Sequence, residues 1–236
     1  MKILALDTAS GLCSAALLLD GDVATRELLT SRDHAREILP MVQALLAEAG
    51  IGLGALHAIA FGRGPGSFTG LRIAASVTQG LAFGADLPVL PVSDLRALAQ
   101  QAFDTAGPAA APTRILACLD ARMHEVYAAL YDVPPSGLVA DAAVEQVLAP
   151  AALLGLVEAT GESREHWIGA GKGFAAYAET LCALGLVTGR IWPEAEPRAR
   201  EIAVLGAADF IAGGARPAEA AVPVYLRDQV AQPPRP

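Results

Sequence analysis

With 236 residues the chain is long enough for one large domain or two lobes with sizeable cores. Hydrophobic residues make up 53% of it, but alanine inflates that figure, and no uncharged apolar run approaches the ~18 residues of a membrane span. A net charge of −8, from 25 acidic and 17 basic residues, opposes a nucleic-acid backbone, so any RNA involved has to be held by something else.

Met1 and Lys2 lead straight into an apolar stretch from Ile3 to Leu6, with no room for a charged region, an apolar region and a cleavage site. A soluble cytoplasmic protein is therefore expected. Cys13, Cys118 and Cys182 are odd in number and far apart, which fits reduced thiols better than a disulfide frame or a zinc site. Residues 3 to 21 predict a hairpin: an apolar strand closed by Asp7, a turn at Ser10 and Gly11, and a returning strand that ends at Asp20 and Gly21. A third strand from Val23 to Leu29 follows.

Residues 31 to 50, SRDHAREILPMVQALLAEAG, have helical periodicity, with Ile38, Met41, Leu45 and Ala49 on one face and Leu39, Val42 and Leu46 on an adjacent one. Ser31 or Asp33 is the cap, Gly50 the stop, and Pro40 predicts a kink or a second start. His34 and Glu37 share the first turn. Without a third ligand they read as a capping and surface pair, with a metal site as the competing assignment.

A short apolar strand, Ala58 to Phe61, leads into GRGPGSFTGLRIA, residues 62 to 74, and a helix capped by Ser67 that stops near Gly84. Amides at such a turn can hold a phosphate, but no Lys follows the glycines, so the P-loop pattern fails, and close helix packing is the alternative. Gly70, Ala74 and Thr78 make a small-residue stripe beside a second stripe of Ile73, Val77 and Leu81. This helix is either central to its own lobe or meets another protein. A strand from Pro88 to Val92 and a helix from Asp94 to Phe103, capped by Ser93, come next. The Pro and Ala-rich GPAAAPT, residues 107 to 113, marks the boundary between a larger first lobe, 1–105, and a smaller second lobe, 106–236.

Residues 115 to 132, ILACLDARMHEVYAALYD, repeat the opening hairpin, with Asp120 closing the strand as Asp7 does. A duplicated lobe is one explanation and chance similarity of two apolar hairpins the other. Duplicated lobes opened by such hairpins resemble the actin, sugar-kinase and heat-shock ATPase class, a two-lobed α/β plan of ribonuclease-H-like type. That resemblance implies that Asp7 and Asp120 face each other across a cleft and hold magnesium and phosphates. Further on, a helix at Ala151 to Glu158, a strand at Trp167 to Ala170 and a helix at Phe174 to Leu184 are predicted. GAGKG, residues 169 to 173, is no P-loop, because Gly173 stands where Ser or Thr belongs and His166 where Gly belongs. A helix over about 200–213 returns to the first lobe, and the end, PVYLRDQVAQPPRP, reads as a loose tail after a last extended stretch.

LALDTAS, SRDHAREILPMVQALL, GRGPGSFTGLRIA, DARMHEVY and PVYLR stand in the order seen in the bacterial TsaB family, also called YeaZ, which most of the chain resembles; the match is weakest from 133 to 220. The resemblance implies a non-catalytic partner of TsaD, which places threonylcarbamoyl on the adenosine beside the anticodon of tRNA. It also implies that the ATPase TsaE joins the pair, that tRNA is met only through the complex, and that nucleotide and metal sit on the partner subunits and not on this chain. TsaD-like chains carry a metal-binding HxxxH, whose two positions correspond here to Asp94 and Leu98, and Leu98 cannot ligate a metal. Asp7 is followed by TAS instead of a glycine turn, which weakens a phosphate grip. An ATP-dependent sugar-kinase-like enzyme and a metallopeptidase of the glycoprotease superfamily are the alternatives. The two helices carry excess apolar face, so Ile38, Met41, Leu45, Gly70, Ile73, Ala74 and Val77 are the expected partner interface with TsaD or with a second copy. Burial of both stripes inside the lobe is the competing expectation.

Overall fold

The opening hairpin forms as its alternation requires: β1 (Lys2–Asp7) pairs antiparallel with β2 (Leu12–Leu19), in a register that sets Asp7 opposite Ser14. β2 in turn pairs antiparallel with β3 (Asp22–Leu29). The chain then crosses through α1 (His34–Glu48) to β4 (Ala58–Gly62), which lies parallel to β1, and through α2 (Phe68–Ala85) to β5 (Val89–Val92). The sheet order is β3-β2-β1-β4-β5. In this computed structural model, residues 1–107, 114–161, 167–186 and 190–227 are described. His166, most of the Pro and Ala-rich break and the proline-rich tail lie outside the described residues.

After α3 (Asp94–Ala106) the plan repeats. β6 (Arg114–Asp120) pairs antiparallel with β7 (Val126–Asp132), which carries β8 (Ala140–Asp141) and β9 (Gln146–Leu148). Beyond α4 (Leu153–Glu158), β10 (Trp167–Ala170) lies parallel to β6, and β11 (Arg190–Trp192) lies parallel to β10. In both sheets a hairpin's first strand is central, with its antiparallel partner on one side and parallel strands on the other. The fold is thus a two-lobed α/β plan with duplicated lobes, as the paired hairpins predict.

α7 (Ala199–Ile211) lies across β1, β2, β4 and β5, while α3 lies against β6, β7 and β10, and the two helices touch each other. One hydrophobic cluster therefore runs from Ile3 and Ala60 through Ile202 and Leu98 to Ile115 and Ile168. Small side chains allow the helices this close approach: a Cβ on Gly206 would stand 2.8 Å from that of Ala60. Much of the alanine content has its use here, in a thin helical layer between two sheets.

Two local expectations change. α1 continues unbroken through Pro40, which is exposed, so only one backbone bond on the solvent side is given up and no second start is seen. The helix predicted over 174–184 is two short pieces, α5 (Lys172–Ala176) and α6 (Ala178–Ala183), broken at Tyr177, whose backbone (φ −125°, ψ 30°) is not helical. No helix among the described residues is long and apolar enough to cross a membrane.

Candidate functional site

A cleft of about 1370 Å³ opens between the lobes. Its walls are the β1–β2 turn at Ser10 and Gly11, the glycine-rich turn, the β6–β7 turn at Asp120, and Lys172 with Glu196. Asp120 lines this space, where its Oδ1 accepts from the Arg122 amide at 2.8 Å and from the Tyr177 hydroxyl at 3.3 Å. Asp7 does not. It is wholly buried, and its Oδ1 accepts from the Ala9 amide at 2.8 Å. The expected pairing of Asp7 with Asp120 across the cleft is therefore corrected: Asp7 meets Asp94 at the start of α3, the two carboxyls closing over Gly62. A Cβ on Gly62 would lie 2.8 Å from Asp7 Oδ1 and closer still to Asp94 Oδ1, which is why the strand ends on a bare glycine.

Burial raises both acids. Asp7 is pushed up to about 7 although the Ala9 amide and Asp94 work against the rise; for Asp94, burial and then the Asp7 charge push the same way, well above the usual carboxylate range. Glu196, Cys13 and Arg63 are the other titratable or charged groups near the pair. The folded state thus keeps protons that the unfolded chain releases, and the pair's contribution to stability falls as pH rises from about 4 to about 7. Asp94→Asn removes one of the two acids while keeping an acceptor for the Gly64 amide. In urea unfolding the variant is expected to gain on the native chain between pH 5 and pH 7; a difference independent of pH would refute the rise of the two buried acids.

The glycine-rich turn is closed by its own chain. The Gly64 amide donates to Asp94 Oδ2, the Ser67 amide to the Ala9 carbonyl at 2.7 Å, and the Arg63 amide to the Val92 carbonyl at 2.9 Å. These three donors are not open to a phosphate. Gly70 packs against the β1–β2 turn, where Thr8 Oγ1 donates to its carbonyl at 2.7 Å and a Cβ would overlap the Thr8 carbonyl oxygen. His34 is buried and not at the surface: its Nε2 lies 3.1 Å from the Ser10 carbonyl oxygen, tying α1 to the same turn. Leu98, at the second position of the expected histidine pair, is fully buried in the inter-lobe core. Among the described residues no three metal-ligating side chains gather.

The expected partner interface is only partly at the surface. Ile38, Leu45 and Ala74 are at most 1% exposed and Gly70 is buried, all within the single chain, because α1 lies on β2 and α2 on β4. Met41, Ile73 and Val77 are half-buried. The small residues left open on α2 are Ser76, Gly80 and Gly84, beside Phe83, which is 80% exposed. A Cβ on Gly80 or Gly84 would meet nothing within 4 Å.

The final extended stretch, read from sequence as part of a loose tail, is tied down as far as Arg227. The Val224 amide donates to the Arg63 carbonyl at 2.7 Å, the Tyr225 ring packs on Phe68 at 5.4 Å, and Arg227 pairs with Glu125 in the β6–β7 turn. It joins the two lobes across the cleft. The one local signal was its position after the last helix, with Tyr and Arg among apolar residues.

Across 234 residues the chain is 40% identical to the tRNA threonylcarbamoyladenosine biosynthesis protein TsaB of Escherichia coli K12, over 98% of this chain and 96% of that one. The chain belongs to the TsaB family. The TsaB protein of Haemophilus influenzae is 50% identical over 127 residues, 54% of this chain and 52% of that one. A solved structure described as YeaZ from Pseudomonas aeruginosa superposes with a TM-score of 0.84 at 41% identity, covering 95% of this chain and 99% of the other. The family profile described as "TsaD: tRNA N6-adenosine threonylcarbamoyltransferase" matches residues 28–234. Similarity to an individual transferase of that name, from Chromobacterium violaceum, is confined to 67 residues, 28% of this chain and 20% of that one, at 48% identity. The solved YeaZ structure thus shares the fold seen here, and in this chain the glycine-rich turn is the stretch that holds β1, α2 and α3 together.

Proposed function

We propose that this chain takes part in tRNA threonylcarbamoyladenosine biosynthesis as a subunit that binds and activates TsaD without itself carrying out the transfer. Its similarity to TsaB over nearly the whole chain supports the pathway. The outer face of α2 carries the partner role: Ser76, Gly80 and Gly84 leave the backbone open at four-residue spacing, flanked by half-buried Ile73 and Val77 and by exposed Phe83. Such a face admits another helix at close range, and a matching helix of TsaD is the occupant proposed. Met41 and exposed Leu39 on α1 extend it.

The division of labour is supported by Asp94 and Leu98, both buried and engaged within the fold, at the positions where a TsaD-like chain has its histidine pair. Metal and nucleotide then belong to the partner subunits, with TsaE joining the pair. In the absence of TsaD a second copy can use the same face. The deciding experiment is co-expression with TsaD of the same cell, followed by affinity capture and size-exclusion mass. A stoichiometric complex is expected, and two separate peaks at micromolar concentration would sink the partner assignment.

Contact with tRNA then runs through the complex. With a net charge of −8 the isolated chain is expected to bind tRNA no tighter than about 10⁻⁶ M at physiological salt. Filter binding that shows a submicromolar Kd for the chain alone would contradict this.

A further inference from the structure

Two of the chain's hairpin turns are built from opposite materials. Between β2 and β3 the loop is Asp20 and Gly21, at φ 52° and 105°, a pair of residue types that takes a left-handed turn readily. Between β6 and β7 the Glu125 amide donates to the Arg122 carbonyl at 3.0 Å, which puts Met123 and His124 at the two central positions. Their φ angles are 54° and 60°, and Arg122 before them stands at 62°. Residues other than glycine visit this region singly and not in runs, because the Cβ crowds the following carbonyl oxygen. All three side chains are exposed, so burial does not hold them there.

The grip comes from the end of the strap. The Arg227 guanidinium pairs with Glu125, donates to the Arg122 carbonyl at 3.5 Å and lies 3.3 Å from the Met123 sulfur, so one rigid fork meets the turn at three points. The other end of the strap is fixed where the Val224 amide donates to the Arg63 carbonyl on the first lobe. Within the turn the Arg122 amide donates to Asp120 Oδ1, so the turn's conformation also sets the carboxylate on the cleft wall.

We propose that the β6–β7 turn is a two-state element and that Arg227 is its latch. With the strap seated, the turn is held left-handed and the Arg122 amide engages Asp120. With Arg227 withdrawn, the turn relaxes, releases Asp120 and re-aims Arg122, Met123 and His124 at the lip of the cleft. Arg227 is thus a positioning residue, through which the seating of the strap is felt on the cleft wall. This inference is independent of the partner role.

The test is residue-resolved hydrogen exchange by NMR on the full chain, with circular dichroism on the same samples to report the fold. In Arg227→Ala the amides of Arg122 and Glu125 are expected to exchange at least about tenfold faster than in the native chain, while those inside β6 and β7 keep their native rates. Met123→Asn with His124→Gly supplies a pair that takes this turn readily. On that background Arg227→Ala is expected to change the same two amides by less than about threefold. Arg227→Lys serves if the alanine variant does not fold: it keeps a charge opposite Glu125 but lacks the fork, and the two amides are expected to exchange at least about threefold faster. Folded Arg227 variants with native exchange at both amides overturn the proposal. So does a turn carrying both substitutions that depends on Arg227 as strongly as the native one, since the contact would then be a simple tie and not a latch on a strained element.

Discussion

Gly70→Ala is expected to cost about 3 kcal/mol or more, at the upper end of what overpacking does in a core. The added methyl would overlap the Thr8 carbonyl oxygen and stand 2.9 Å from its carbon, and both atoms belong to backbone held between β1 and β2. Neither side can give way by turning a side chain. For a chain of this size the loss corresponds to a fall in melting temperature of about 10 °C, readable by thermal circular dichroism. Gly80→Ala is the control: with nothing within 4 Å of its Cβ, it should stabilise the helix by up to about 1 kcal/mol. If both variants melt together with the native chain, α2 is not seated on the β1–β2 turn.

The second large effect is on association. Gly80→Glu places a long charged side chain in the middle of the open stripe of α2, where the isolated chain has space for it. The isolated variant should be as stable as the native chain, or more so by about 0.5 kcal/mol, since glutamate is a better helix former than glycine. Binding to TsaD should weaken by at least about 2 kcal/mol, or roughly 30-fold, because the helices are held apart and a charge is left buried. Calorimetry against TsaD measures one arm and urea unfolding the other. Unchanged affinity in a folded Gly80→Glu chain would move the contact off this face. Ala74→Glu, on the stripe expected from sequence to meet a partner, is expected instead to unfold the chain, since Ala74 has no exposed surface.

Gly70 and Gly80 show why one helix can be legible and its role not. Gly70, Ala74 and Thr78 repeat at four residues, and so do Ser76, Gly80 and Gly84. Both stripes have the same local signature. Which of them is covered depends on where β4 and the β1–β2 turn sit, and no window of α2 contains that information. His34 is a similar case: it stands in a polar helix start yet is buried by a turn far away in the chain.

By itself the sequence determined most of the longer elements and their order, but not the short strands β8, β9 and β11 or the break at Tyr177. Alternation and apolar runs placed β1, β2, β4, β6, β7 and β10, the glycine-rich turn marked a strand-to-helix junction, and the paired hairpins announced a duplicated plan. These are short-range properties, set by backbone sterics and by the period of the hydrophobic pattern. Only the tertiary structure decided that Asp7 shares its burial with Asp94 and not the cleft with Asp120, that Lys172 meets Glu196, and that the final stretch to Arg227 straps the lobes together. Each of these joins residues distant in sequence through a layer of packed helices. A carboxylate's partner is chosen by what the fold brings within a few ångströms of it, and neither the periodicity nor the identity of its neighbours in the chain encodes that distance.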